Sequence, residues 1–410
     1  MSGTGAGVVI IGAGHAGGTA AAQLRQFGYE GPITVVGEEP IAPYQRPPLS
    51  KAWLKGEADA DALALRPDSF YVEEHIALRL NARAARLDRR AKTTTLETGE
   101  TLPYDKLILA TGARARRLEL PGADLAGVQV LRSAADAEEL KLALGPGKRL
   151  AVVGGGYIGL EAAASARALG AEAVVLEALP RILARSSCEV LSDFFTAYHR
   201  AHGVDFELGV TITGFEGAGG KVTGVRLADG RVIACDAAVI GIGILPNEEL
   251  ARDAGLECAN GVVVDEHART ADPDIYAIGD VTRRPLPLYA RMHRLESVAN
   301  ALEQAKQAAA AIAGRPAPAH EVTWNWSDQY DVKLQLAGVA FDADELLVRG
   351  NPAGAKFAVF HMKGPVVRAV EAVNAPAEFM AGKILIGSQK PIDRAKLADV
   401  TVSMKEVAAG

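Results

Sequence analysis

The chain has 410 residues with 49% hydrophobic and 23% charged content, ordinary for a globular enzyme of about three domains at roughly 150 residues each. Its net charge of −6 argues against a general nucleic-acid binder, which needs a basic face. The first 24 residues carry no charge, but the basic n-region of a signal peptide is missing, and seven glycines with His15 and Gln23 speak against a membrane span, so a cytoplasmic protein is expected.

The first element is an apolar strand, Val8 to Ile11. It runs into Gly12, Gly14 and Gly17, spaced G-x-G-x-x-G, and then into an Ala-rich helix ending near Gly28. A second strand, "ITVVGEE", ends at Glu38 and Glu39. This order is a dinucleotide-binding device. Gly12 permits the tight turn, Gly14 lets the backbone approach a pyrophosphate, and Gly17 lets helix and strand sit close. The helix N-terminus offers unpaired N–H groups to the phosphates, and Glu38 can accept from ribose hydroxyls.

Next comes "YQRPPLSKAWL", residues 44–54, a poor strand and a poor helix start because the residue before a proline avoids the α region. It reads as a rigid turn with Arg46 and Lys51 at its ends, a solvated turn as far as the residues themselves go. "YDKLILATGAR" (104–114) is an apolar strand closing on Thr111 and Gly112, where an insertion could begin.

The glycine spacing then returns at Gly154, Gly156 and Gly159, with a helix to about Leu169 and a strand ending at Glu177. Two such units imply two dinucleotides. The natural pair is a flavin and a nicotinamide, which exchange a hydride directly. Glu177 would bond an adenosine ribose and repel a 2′-phosphate, which favours NADH over NADPH, although Arg181 lies nearby. Glu161, just past these glycines, could equally be a first-turn acid complementing the helix dipole. "TADPDIYAIGDVT" (270–282) places Asp280 after a glycine at a strand end, where it can approach a sugar-like chain or simply cap a turn.

Cys188, Cys235 and Cys258 show no C-x-x-C and no zinc spacing, and no metal site is expected from the cysteines or the eight histidines. The thiols read as bystanders, in keeping with a reducing compartment.

With these pieces in place the chain resembles a family, the FAD-dependent, NADH-linked ferredoxin reductases of the putidaredoxin-reductase type. GAGHAG, YQRPPLSK, LILATG, GGGYIGLE, GIGILPN, YAIGD, ESVANALEQA and WNWSDQY carry the likeness, in that order. It implies an α/β, glutathione-reductase-like fold with two Rossmann-type dinucleotide-binding domains and an α+β C-terminal domain. The implied domains are an FAD part over 1–112 and 245–320, an NAD domain over 113–244 and a C-terminal domain over 321–410.

The resemblance also implies roles. Arg46 would face the FAD pyrophosphate region. Lys51 would lie beside the isoalloxazine and pair with Glu161, which contacts the nicotinamide amide. Ala84, Arg132, Asp280 and Val298 complete the implied FAD set with Gly14 and Glu38. Val298 would open a helix, running to about Ile312, aimed at the flavin. The implied activity is transfer of electrons from NADH through FAD to an acidic 2Fe–2S ferredoxin serving a terminal oxygenase, by a monomer or weak homodimer. Rubredoxin, a radical or quinone acceptor, or NADH sensing like that of apoptosis-inducing factor are the rival readings. An acidic ferredoxin would need a basic face, expected at Arg283, Arg284, Arg291, Arg294, Lys306 and Arg315 against only Glu296 and Glu303. If "WNWSDQY" is a strand, Trp324 and Trp326 share a face, either near the flavin or as core aromatics.

Overall fold

In a computed structural model, residues 5–409 are described. Residues 1–4 and 410, at the outer ends of the expected first and last domains, lie outside that range. The chain divides into two compact units. The first holds the chain up to Gln45 with Ala60–Arg114 and Leu245–Thr323; the second holds Arg46–Asp59, Ala115–Ile244 and the chain from Trp324 onward.

The chain opens with β1 (Val8–Ile11), α1 (His15–Gln26), β2 (Ile33–Val36) and β3 (Ile76–Arg79), then reaches β4 (Lys106–Leu109). β1 pairs in parallel with β2 on one side and β4 on the other, in register Val8↔Ile33 and Val8↔Lys106. All four β1 residues are buried, as expected for a parallel strand covered on both faces. Val8 and Ile10 pack on one side, against Ala16, Ala20, Ala21 and Leu24 of α1. Val9 and Ile11 pack on the other, with Leu87, Leu96, Leu107 and Leu109. The period of two is what sends alternate side chains to opposite cores.

Between Gln45 and Ala60 the chain joins the second unit. Its Pro47–Ser50 stretch forms a single 3-10 turn with proline at its first positions. A poor helix start is therefore still one helical turn. Proline lacks an N–H that the first turn has no use for, and a 3-10 turn needs no sustained hydrogen-bond ladder.

The second unit continues with β5 (Val128–Val130), β6 (Arg149–Val153), α2 (Tyr157–Ala168), β7 (Glu172–Glu177), α3 (Glu189–Ala201), β8 (Val204–Leu208) and β9 (Ala237–Ile240). Its five-stranded sheet is ordered β8-β7-β6-β9-β5, all parallel. β10 (Ile275–Ala277) then returns to the first unit and completes the order β10-β4-β1-β2-β3. α4 (Val298–Ile312) packs its Ala301, Ala305, Ala308 and Ala309 into the same core as α1. The small side chains let the two helices lie close.

The C-terminal part of the second unit comprises β11 (Trp324–Gln329), β12 (Val332–Gly338), β13 (Glu345–Asn351), β14 (Lys356–Lys363), β15 (Val366–Val373) and α5 (Pro376–Ser388). The strands form an antiparallel sheet ordered β11-β12-β15-β14-β13. α5 lies against it so closely that a Cβ on Gly382 would come within 2.5 Å of Val370 Cγ1. No helix of the described residues is long and apolar enough to cross a membrane.

Candidate functional site

In the first unit the glycine turn has the geometry a dinucleotide requires. Gly12 sits at φ +116°, and a Cβ there would meet Ala110 O at 2.1 Å. A Cβ on Gly17 would lie 1.9 Å from Gly12 O, whereas one on Gly14 would meet nothing within 4 Å. Gly12 and Gly17 are thus demanded by the fold, and Gly14 borders open space. Gly14 is also the N-cap of α1, with no side-chain cap and no acid in the first turn, which leaves the terminal N–H groups for an anion. A pyrophosphate fits such a cradle. Glu38 is exposed beyond the end of β2.

Asp280 lies in a 3-10 turn, Gly279–Val281. Gly279 N–H donates to Gln304 Oε1 of α4 at 2.9 Å, and Gly279 approaches Ala16 of α1, 3.1 Å from a built Cβ. The fold therefore brings Asp280 to the start of α1. Val298 is the first residue of α4, behind the N-cap Ser297, whose side chain accepts from Asn300 N–H. Ala84 begins a short strand, Ala84–Asp88, and is half-buried.

The second unit repeats the turn. Gly154 sits at φ +104°, with Gly241 O at 2.6 Å from a built Cβ, and one on Gly159 would come within 2.4 Å of Gly154 O. Gly156 caps α2 without a side-chain bond and again borders open space, its only neighbour Gly241 O at 4.0 Å. Glu177, the last residue of β7, folds back over the turn: Oε2 accepts from Gly155 N–H at 2.7 Å and Oε1 from Leu179 N–H at 2.8 Å. Arg181 is committed elsewhere. It donates to Ser187 O at 3.0 Å, Ser192 Oγ at 2.5 Å and Ala184 O at 3.3 Å.

Lys51 and Glu161 meet in this same unit. Lys51 Nζ donates to Glu161 Oε2 at 2.7 Å and to Pro47 O at 3.0 Å. The Lys51 side chain is 18% exposed and that of Glu161 6%. Glu161 lies beyond the first turn of α2, so the helix-dipole reading does not account for its burial. Its partners do: Ser50 Oγ donates to Oε2 at 2.5 Å and Ser327 Oγ to Oε1 at 2.6 Å. The 3-10 turn is tied down further by Ser165 Oγ donating to Ser50 O at 2.7 Å. Arg46 Nη1 donates to Arg132 O at 2.6 Å, and Arg132 N–H donates to Asp136 Oδ2 at 3.0 Å. Arg46 and Arg132 are thus neighbours. Sequence reasoning missed Ser50 and Ser327. A serine flanking a cation-bearing turn and another inside WNWSDQY are the only signals, and both are generic.

Trp324 and Trp326 share a face of β11, ring centroids 5.5 Å apart. Lys383 sits over the Trp324 ring at 5.4 Å. The expected basic stretch needs one correction. Arg284 is buried, 3% exposed, and both its Nη atoms bond Glu303 at 3.0 Å, so it offers no charge to a partner. Arg294 pairs with Glu296 at 2.6 Å, while Arg291, Lys306 and Arg315 are exposed.

The three cysteines are free thiols. Burial pushes Cys188 up to about 12 and both Cys235 and Cys258 up to about 11, so none is a thiolate near neutral pH. The fold does gather Cys188 with His361 and Glu371, their candidate ligand atoms within 4.8 Å and all three residues buried, a grouping that chain spacing could not show. His361 Nε2 stands 3.2 Å from Glu371 Oε2, and Cys188 N–H donates to the same oxygen at 3.3 Å. These partners hold the Glu371 carboxyl below its ordinary range against the opposing effect of burial.

Comparison with known proteins agrees with this geometry. Residues 6–305 match the family described as pyridine nucleotide-disulphide oxidoreductase, and residues 324–408 match reductase C-terminal. A probable ferredoxin reductase of Castellaniella defragrans is 53% identical, with 98% of each chain covered. Putidaredoxin reductase of Pseudomonas putida is 40% identical over 98% of this chain and 96% of its own. A crystal structure of the covalent putidaredoxin reductase–putidaredoxin complex superposes with a TM-score of 0.96 at 40% identity, covering 98% of both chains. Two glycine turns, a C-terminal sheet and likeness along nearly the whole length place this chain in the pyridine nucleotide-disulphide oxidoreductase family, among its ferredoxin reductases.

Proposed function

We propose that the protein is an NADH-dependent FAD flavoprotein that reduces an acidic 2Fe–2S ferredoxin supplying an oxygenase. Bound FAD would supply the chemistry, accepting a hydride from NADH and releasing the two electrons singly. The chain's residues bind and orient. Gly12, Gly14 and Gly17 with the N-terminus of α1 receive the FAD pyrophosphate, Glu38 the ribose, and Arg46, Ala84, Arg132, Asp280 and Val298 line the remainder. Gly154, Gly156 and Gly159 receive the nicotinamide dinucleotide, and Glu177 selects the unphosphorylated ribose. Arg181, engaged by two carbonyls and Ser192, does not counteract it.

The observation that carries the reading is the Lys51–Glu161 pair. A cation held in place by a buried carboxylate costs no reorganisation as negative charge develops on the flavin. The protonated, scattered thiols support a route that bypasses cysteine. On this reading the FAD-binding part spans 1–112 and 245–320, the NAD-binding domain 113–244 and the C-terminal domain 321–410. A cytoplasmic monomer or weak homodimer fits this role.

Stopped-flow mixing with NADH, followed by a panel of 2Fe–2S ferredoxins, tests the proposal. Rapid flavin reduction and fast ferredoxin reduction that slows with added salt are expected. Turnover with rubredoxin or a small acceptor alone would overturn the ferredoxin assignment, and slow reduction with a long-lived charge-transfer complex would indicate a sensor. Arg291→Glu should raise the KM for ferredoxin and leave flavin reduction by NADH unchanged.

A further inference from the structure

Glu161 is the end of a longer chain of donors. Ser327 Oγ donates to Glu161 Oε1 at 2.6 Å, and Gln329 Nε2 donates to Ser327 Oγ at 3.0 Å. Gln329 Oε1 lies 2.7 Å from His199 Nε2, and His199 Nδ1 lies 3.2 Å from the Tyr330 hydroxyl. Glu161, Ser327, Gln329 and His199 are all buried. Ser327 and Gln329 stand two residues apart on β11 and so share a face. Tyr330 follows in the hairpin turn, stacked on exposed His202 with ring centroids 3.9 Å apart.

The direction of every bond follows from the first. An ionised carboxylate only accepts, so the Ser327 hydroxyl proton is committed to Glu161 and its lone pairs must accept. The Gln329 amide therefore turns its NH₂ to Ser327 and its oxygen to His199. His199 must then carry its proton on Nε2, which leaves Nδ1 to accept from Tyr330. A neutral ring is what this needs, and burial, aided by neighbouring His202, pushes the His199 imidazole down to about 4.

We propose that Tyr330, His199, Gln329 and Ser327 form one directional hydrogen-bond chain that fixes the Glu161 carboxylate and, through it, the Lys51 ammonium. The terminal torsion of a glutamate is broad, and Ser50 and Lys51 both bind the same oxygen. Ser327 pins the other oxygen, and bonds aligned head to tail strengthen one another. The first strand of the C-terminal sheet thereby becomes a positioning element for the reductive site. Its meaning for turnover rests on the role of Lys51 proposed above.

The test uses the FAD-loaded enzyme. In Ser327→Ala the flavin reduction rate at saturating NADH should fall on the order of tenfold, the loss expected when a buried acceptor is short of one donor. FAD content should not change, and Ser327→Thr should restore the rate. Gln329→Met should show a smaller loss of the same kind. Histidine ¹⁵N NMR should find His199 as the Nε2–H tautomer, not titrating between about pH 6 and 8. An Nδ1–H tautomer, or titration in that range, overturns the directional chain. Wild-type reduction by Ser327→Ala while Lys51→Met is slow overturns the positioning role alone, and wild-type rates in both variants remove the role of Lys51 as well. Loss of FAD in Ser327→Ala, with the rate intact, would mark plain packing and overturn the inference too.

Discussion

The two glycine turns solve one backbone problem in the same way and differ in what they do with an acid. In both, the first glycine takes a left-handed φ, the third presses on the carbonyl of the first, and the middle one faces open space. In the first turn Glu38 stands exposed past the strand end. In the second, Glu177 is bound by the turn's own Gly155 N–H and by Leu179 N–H. The backbone cradle is therefore generic to a pyrophosphate, while the second turn also carries a carboxylate held in one orientation. Selectivity among dinucleotides should reside in the second turn and stability in the first and third glycines of each.

The largest effect expected from this comparison is on the third glycine. Gly17→Ala and Gly159→Ala should each destabilise the chain by roughly 3 kcal/mol, the upper end of overpacking costs, because each Cβ meets a backbone oxygen. Gly14→Ala and Gly156→Ala should leave unfolding of the ligand-free chain unchanged and weaken FAD and NADH binding respectively. Denaturant melts with and without ligand separate the two kinds of glycine, and equal melts for Gly14→Ala and Gly17→Ala would erase the distinction.

Next in size is Lys51→Met, which should slow flavin reduction by NADH on the order of a hundredfold, as loss of one preorganised charge donor does, with far less effect on FAD retention. Stopped-flow absorbance reads both, and an unchanged rate would return Lys51 to a turn residue.

The asymmetry in the acids predicts a preference for NADH over NADPH of about 2–3 kcal/mol, the scale of a charge-assisted hydrogen bond left unmade. Glu177→Ala should erode that preference, and Glu38→Ala should not. Near-equal kcat/KM for the two coenzymes in the native enzyme would refute the role of Glu177.

The smallest effect belongs to the thiols. A variant with Cys188, Cys235 and Cys258 all replaced by serine should reduce ferredoxin at a comparable rate, since burial holds each thiol protonated. Loss of turnover with FAD still bound would require a thiol in the electron path.

Both turns were legible in the sequence because their requirements are local. Gly12 needs its own left-handed φ and Gly17 presses on Gly12 five residues back, although the carbonyl that crowds Gly12 belongs to distant Ala110, and the flanking strands announce themselves by continuous apolar runs. Lys51 and Glu161 were legible only through family resemblance; as bare residues they read as a solvated turn and a dipole acid. Arg284 shows the opposite failure. Counted along the chain it is one more surface cation, yet folding buries it against Glu303, and no periodicity marks an arginine whose partner lies on a helix 19 residues away.

What the sequence by itself determined is the pair of βαβ devices, the acids at the ends of their second strands, the rigid Pro47–Pro48 turn and the paired tryptophans of β11, all set by spacing within one element. Tertiary structure decided which distant side chains share a carboxylate. Ser50 and Ser327 reach Glu161 from 111 and 166 residues away in the chain, and Cys188, His361 and Glu371 converge from three separate elements. Such meetings depend on how sheets and helices stack, and a hydroxyl or thiol carries no periodic signal of the partner it will find. The physical reason is that local conformation obeys short-range sterics and hydrogen bonding, whereas the environment of a buried polar group is set by packing between segments that are remote in sequence.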